Sequence, residues 1–311
     1  MHVRALVVAA CAAILLALPA AAAAQGPPAG PRFDLQAHRG GLGLVTESTL
    51  EAFANALRIG VTTLELDVQI TEDGEAVVTH DRRVSAAKCR DTAPVTAGDP
   101  EFPYVGDYIR DLTLEQVWTL DCGLPLADHP GQQVVAGARM PLLSEVFALV
   151  DCFRARRVRF NIETKVEAGA PEETAPREQF VQVVAREIRE AGVRNRVSIQ
   201  SFDWGALMRM REVEPRLPLV ALTNGDFLQV GQEGASPWLG GIDIDDFGGS
   251  LVAAAASFGA DAISPVHGTP QNGKVTDPGY VPYTTPALVA EAHAAGLKVI
   301  PWTVDDPATM A

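Results

Sequence analysis

Residues 46–80, TESTLEAFANALRIGVTTLELDVQITEDGEAVVTH, contain the unit from which the chain is built. Ser48 and Glu51 have the spacing of a capping box ahead of Leu50, Phe53, Ala54 and Leu57, which share one helical face, and Gly60 supplies the stop. TLELDVQI at 63–70 then alternates as a strand does. Glu72-Asp73-Gly74 is a turn signal, so residues 76–80 are predicted to fold back on 63–70. The same helix-and-strand rhythm continues on both sides. Strands are predicted at 34–38, 158–165, 196–202, 217–223, 261–266 and 297–304, and helices near 176–191, 249–258 and 286–295, stopped by Gly192, Gly259 and Gly296. Such alternation marks an α/β domain with parallel strands.

The composition agrees with a folded domain. Of 311 residues, 47% are hydrophobic and 21% charged, which is too apolar for a disordered chain. The length allows a core without a disulfide framework. With 25 basic residues against 39 acidic, the net charge of −14 argues against a nucleic-acid partner. A small phosphate compound is still admissible, because a cation or an arginine reverses the field inside a cleft.

The first segment is an address. MHVRALVVAACAAILLALPAAAAA at 1–24 joins one early arginine to an apolar run and a small-residue end, as a secretory signal peptide does, with cleavage between Ala24 and Gln25. No later stretch approaches a membrane span, so the mature chain is predicted to be exported, periplasmic or extracellular, with no stable membrane insertion. Residues 25–33 read as a linker and 34–311 as the domain. Export leaves Cys89, Cys122 and Cys152 in an oxidising compartment. A Cys89–Cys122 bridge across a loop-rich stretch would stabilise by roughly 3–4 kcal/mol. Cys152, in the helical pattern SEVFALVDCF, is predicted to be a buried thiol. Residues 83–145, rich in proline, glycine and aspartate, break the rhythm and read as an insertion over one mouth of the domain.

The chemistry gathers at strand ends. In TLELDVQI, Leu64, Leu66, Val68 and Ile70 fall on one face, and Glu65, Asp67 and Gln69 on the other. FNIETK repeats this, with Asn161, Glu163 and Lys165 on one face. A wet outer face would explain one such strand but gives no reason for two. Three inward carboxylates need counter-charge, and Glu65, Asp67 and Glu163 offer the hard oxygen ligands that suit Ca²⁺ or Mg²⁺. His38 and His80 each close a strand, and two histidines across a cleft can serve as acid and base. Arg39 and Lys165 are candidate phosphate contacts. His267 is a weaker candidate for substrate contact, while His129 reads as a turn residue and His293 as a helix-face residue.

These motifs resemble the glycerophosphodiester phosphodiesterase family. The chain carries HRG at 38–40, TEST at 46–49, EAFANAL at 51–57, ELDV at 65–68, TEDG at 71–74 and VVTHD at 77–81, then NIETK at 161–165, QSFD at 200–203 and PWTV at 301–304, all in the family's order. The resemblance implies a TIM-type (β/α)8 barrel that hydrolyses glycerophosphodiesters to sn-glycerol 3-phosphate and an alcohol, with a divalent cation as cofactor. It implies His38 and His80 as acid and base, Glu65, Asp67 and Glu163 as metal ligands, and Arg39 and Lys165 as phosphate contacts. Glu47 matches an acidic support, and Phe202 and Trp302 match pocket-lining positions. TEST departs from the family's Pro-Glu-Asn-Thr. The eighth strand would fall beyond residue 311, so the barrel is predicted to be truncated after its seventh strand, with the insertion between strands 2 and 3, and the sequence to be part of a longer protein. Two other readings are a phospholipase D-like enzyme acting on lysophospholipids and an exported phosphodiester-binding protein without turnover. Direct hydrolysis and a cyclic phosphate intermediate are both compatible with these residues.

Overall fold

The computed structural model describes residues 33–311; the expected signal peptide at 1–24 and residues 25–32 of the expected linker lie outside the described residues. The strands, in chain order, are β1 (Gln36–Ala37), β2 (Thr63–Ile70), β3 (Ala76–Val78), β4 (Arg159–Thr164), β5 (Val197–Ser201), β6 (Leu219–Thr223), β7 (Ala262–Pro265), β8 (Gly268–Thr269), β9 (Val281–Pro282) and β10 (Lys298–Val299). The helices are α1 (Leu50–Ile59), α2 (Leu114–Trp118), α3 (Leu143–Cys152), α4 (Arg177–Ala191), α5 (Trp204–Val213), α6 (Leu251–Ser257), α7 (Pro286–Ala294) and α8 (Pro307–Met310). The main sheet runs β1-β2-β4-β5-β6-β7-β10, with β3 beside β2. Neighbours follow chain order with helices between them, the winding of a TIM-type α/β fold. Among the described residues that path holds the seven strands predicted.

The described chain falls into two compact units, residues up to Ile162 with Arg186–Val197, and Glu163–Ala185 with Ser198–Ala311. In the first, β1 pairs in parallel with β2 (Gln36 with Thr63), and β3 pairs antiparallel with it (Val68 with Val78). All eight residues of β2 are buried. Helix α1 buries Ala52, Phe53, Ala54 and Ala56. Its N-cap is Thr49 rather than Ser48: the Thr49 hydroxyl accepts from the Ala52 N–H. Ser48 has a φ of 57°, whereas an N-cap residue needs extended backbone.

The insertion is more ordered than its loop-like composition predicts. Tyr104, Ile109, Leu112, Val117, Leu120 and Met140 form a buried cluster with Val77 of β3. Cys89 and Cys122 are disulfide-bonded, 33 residues apart. The prediction for Cys152 is corrected: it is exposed, and no described cysteine is a free thiol. Helix α3 buries Leu143, Val146, Phe147 and Val150, and Cys152 lies off that stripe.

In the second unit, β5, β6, β7 and β10 pair in parallel, with Ile199 beside Leu219, Val220 beside Ala262, and Lys298 beside Ala262. The predicted strand at 297–304 shrinks to Lys298–Val299. Helix α5 was not predicted. Its signals are the Asp203 N-cap and the spacing of the buried Trp204, Leu207 and Met210. Asp203 is fully buried and accepts two hydrogen bonds from Arg177, 2.7 and 2.9 Å. Among the described residues, no helix is long and apolar enough to cross a membrane.

Replacing Cys89 and Cys122 together by serine should lower unfolding stability by about 3–4 kcal/mol, because the unfolded chain regains the freedom of a long loop. Urea denaturation checks this, and a midpoint equal to that of the native chain would show that the bridge contributes nothing.

Candidate active site

Strand β1 is short because His38, Arg39 and Gly40 turn at once into a 3-10 segment. Arg39 sits in the left-handed region (φ 50°), an arrangement that costs roughly 1–3 kcal/mol for a residue with a side chain. The turn aims the Arg39 N–H at Glu65, whose Oε2 accepts it at 2.9 Å. Glycine is required next. A Cβ on Gly40 would come within 3.0 Å of Ala52 Cβ and 3.1 Å of the Phe53 ring. The HRG motif is therefore a tight turn pressed against α1, and its arginine is carried to the carboxylates of β2.

The three predicted ligands come together. Glu65, Asp67 and Glu163 are all buried, and each offers a carboxylate oxygen within 4.8 Å of the others. Positive side chains stand beside them. Arg39 Nε is 3.5 Å from Asp67 Oδ2, and Lys165 Nζ is 2.8 Å from Glu163 Oε1. A trio of hard carboxylate oxygens is the donor set that suits Mg²⁺ or Ca²⁺. The residues fit a divalent cation.

His38 is half-buried, and its Nδ1 is closed off from solvent without a hydrogen-bond partner. Burial, reinforced by the Arg39 charge and His80 nearby and opposed by Asp67, lowers its pKa to about 3. It is neutral at physiological pH. His80 Nδ1 lies 2.7 Å from Asp81 Oδ1. Burial would raise Asp81, but the His80 hydrogen bond and the Lys88 ammonium hold its carboxyl well below the usual range. Glu47 behaves alike: burial raises it, and Arg39 and Lys88 prevail and lower it. Glu47 Oε2 is 3.1 Å from Arg39 Nη1.

Lys165 also stands 5.8 Å from the centroid of the Phe202 ring. Phe202 meets Trp302 and Phe227 edge-on, both at 5.4 Å, and Phe227 stacks on Trp238 at 4.1 Å. Phe202 and Trp302 were expected at the pocket from the sequence, whereas no role was expected for Phe227, Trp238, Asp81 or Lys88. Asp81 was signalled by its place after His80; the other three lie in irregular segments without a periodic signal. His267 is buried with both ring nitrogens engaged, by Tyr280 Oη and the Gln271 carbonyl, each at 2.9 Å. His129 lies in a turn and His293 on the exposed side of α7.

The profile of the glycerophosphoryl diester phosphodiesterase family matches residues 38–311. The chain belongs to that family. It is 26% identical over 269 residues to the glycerophosphodiester phosphodiesterase of Caldanaerobacter subterraneus, covering 86% of this chain and 84% of that protein. It is 29% identical over 187 residues to the glycerophosphodiester phosphodiesterase of Bacillus altitudinis, covering 60% of this chain and 65% of the other. Among solved structures, a provisionally named glycerophosphoryl diester phosphodiesterase from Silicibacter pomeroyi superposes with a TM-score of 0.70 at 28% identity, covering 92% of this chain and 87% of that one.

Two outcomes follow from this geometry. Added Ca²⁺ or Mg²⁺ should raise the melting temperature of the native chain, because only the folded state assembles the carboxylates, and Asp67→Asn should abolish the rise. Equal shifts in both proteins would place the binding elsewhere. The second outcome concerns His38, whose pKa is 6.5 ordinarily and about 3 when folded. Between those values the unfolded chain binds a proton that the folded chain refuses. Its share of stability is therefore complete above pH 6.5 and lost as pH falls toward 3. His38→Gln should flatten that part of a denaturation profile measured against pH; an unaltered slope would contradict it.

Proposed function

We propose that the chain is an exported, metal-dependent hydrolase that cleaves glycerophosphodiesters to sn-glycerol 3-phosphate and an alcohol. The observation that carries this reading is the gathering of Glu65, Asp67 and Glu163, all buried, with Arg39 and Lys165 beside them. Family membership over residues 38–311 supports the substrate class. The leader-like residues 1–24 and the Cys89–Cys122 bridge support export.

Glu65, Asp67 and Glu163 would hold Ca²⁺ or Mg²⁺. When bound, the cation neutralises charge on the phosphate oxygens and polarises the phosphorus centre. The remaining work belongs to side chains of this chain. Arg39 offers a permanently charged planar fork to the phosphate, and Lys165 adds a second positive charge. His38 and His80 are the acid and base pair, one taking the proton of the attacking hydroxyl and the other returning a proton to the leaving alcohol. Asp81 holds the His80 ring in place through Nδ1. The Phe202, Trp302, Phe227 and Trp238 cluster provides an apolar wall for the alcohol portion.

The test is hydrolysis of glycerophosphocholine and of a lysophospholipid, with and without a chelator. Glycerol 3-phosphate should appear from the first substrate and cease on complete metal removal. His38→Ala and His80→Ala should each reduce turnover by about 10²-fold or more. Metal-independent release would contradict the ligand assignment, preferred turnover of the lysolipid would favour a phospholipase D-like enzyme, and no turnover of either would favour a binding protein.

A further inference from the structure

Lys88 belongs to the insertion, yet its ammonium reaches Asp81, the partner of the histidine that follows β3. Its Nζ stands 2.7 Å from Glu47 Oε1 and 2.8 Å from Asp81 Oδ2. The other oxygen of each carboxylate is engaged by a second site residue: Glu47 Oε2 by Arg39 Nη1 at 3.1 Å, and Asp81 Oδ1 by His80 Nδ1 at 2.7 Å. The result is a row, Arg39–Glu47–Lys88–Asp81–His80, whose first four members alternate in charge. Lys88 is its middle member. Without that ammonium, two carboxylates would face each other across a partly shielded gap, and Asp81 would lose the group that holds it in line with the His80 ring.

The backbone of Lys88 is fixed in turn. Its N–H donates to the Ser85 carbonyl at 3.0 Å, and its carbonyl accepts from Leu124 at 3.2 Å. The next residue, Cys89, is bonded to Cys122. Arg90 and Asp121 then exchange two backbone hydrogen bonds, 2.9 and 3.0 Å, while the Arg90 guanidinium grips the Asp121 carboxylate. A lysine so anchored reaches Asp81 from a rigid base rather than from a free loop.

We propose that Lys88 is a positioning residue for proton transfer: by tying Asp81 to Glu47 it orients the His80 ring and makes the insertion a working part of the active site. The proposal rests on the reading of His80 as an acid/base group. It differs from a phosphate-binding role, in which Lys88 would contribute to substrate affinity rather than to the chemical step.

The experiment compares the native chain, Lys88→Met, Lys88→Arg and His80→Ala, all with divalent cation present, on glycerophosphocholine. Lys88→Met should lower kcat by about 10–100-fold, the usual effect of losing a partner that orients a reacting group. KM should stay within about twofold, since the lost contact acts in the transition state. Lys88→Arg should recover most of the loss, because a guanidinium can also bridge two carboxylates. Nitrogen NMR of the imidazoles should show the His80 Nδ1 resonance displaced in Lys88→Met while the melting temperature holds. An unchanged kcat, a rise in KM alone, or an arginine variant no better than methionine would overturn the proposal. An inert native chain, or an unimpaired His80→Ala, would instead remove the proton-transfer reading, and the NMR displacement would then decide whether Lys88 still orients the ring.

Discussion

Mutual repulsion among Glu65, Asp67 and Glu163 is the constraint around which the site is organised. Three carboxylates inside a sheet, with oxygens within 4.8 Å of one another, cannot all stay ionised unless positive charge is close. The chain answers with the Arg39 guanidinium against Asp67, the Arg39 backbone N–H against Glu65, and Lys165 against Glu163. Burial works against the charge on Arg39, yet its carboxylate neighbours outweigh burial and hold its proton more tightly than usual. The strained turn at Arg39 and the glycine packed against α1 follow from the need to bring this guanidinium to β2.

Much of this was legible in the sequence because strands have a period of two. Glu65 and Asp67 had to share a face, and FNIETK repeated the pattern with Glu163 and Lys165. The helix over 50–59 was equally plain from its apolar face and Gly60, although its cap moved by one residue when Ser48 adopted a positive φ. Irregular segments were opaque. Lys88 reaches Glu47 and Asp81 through a loop whose path depends on a disulfide and a separate apolar cluster, and no periodicity announces that. Phe227 and Trp238 lie in short 3-10 turns, and only tertiary contact stacks them. Cys152 shows the opposite failure. A helical pattern was present, but it buried a stripe that excludes the last turn's cysteine.

The insertion changes meaning once its packing is known. Proline, glycine and aspartate suggested a cover; Tyr104, Ile109, Leu112 and Val117 also give it a buried cluster, shared with Val77 of β3. That cluster lets a surface-rich segment hold a side chain in register with the histidine pair. On the proposed role of His80, stability of the insertion and proton transfer would be linked properties of one region.

The claim most exposed to test is that the three carboxylates share a cation. Diffraction from crystals equilibrated with Mn²⁺, recorded at the manganese edge, measures this directly. One anomalous peak is expected at coordination distance, about 2.0–2.6 Å, from oxygens of Glu65, Asp67 and Glu163. Manganese bound elsewhere in crystals of active protein, with no peak among these three residues, would contradict it.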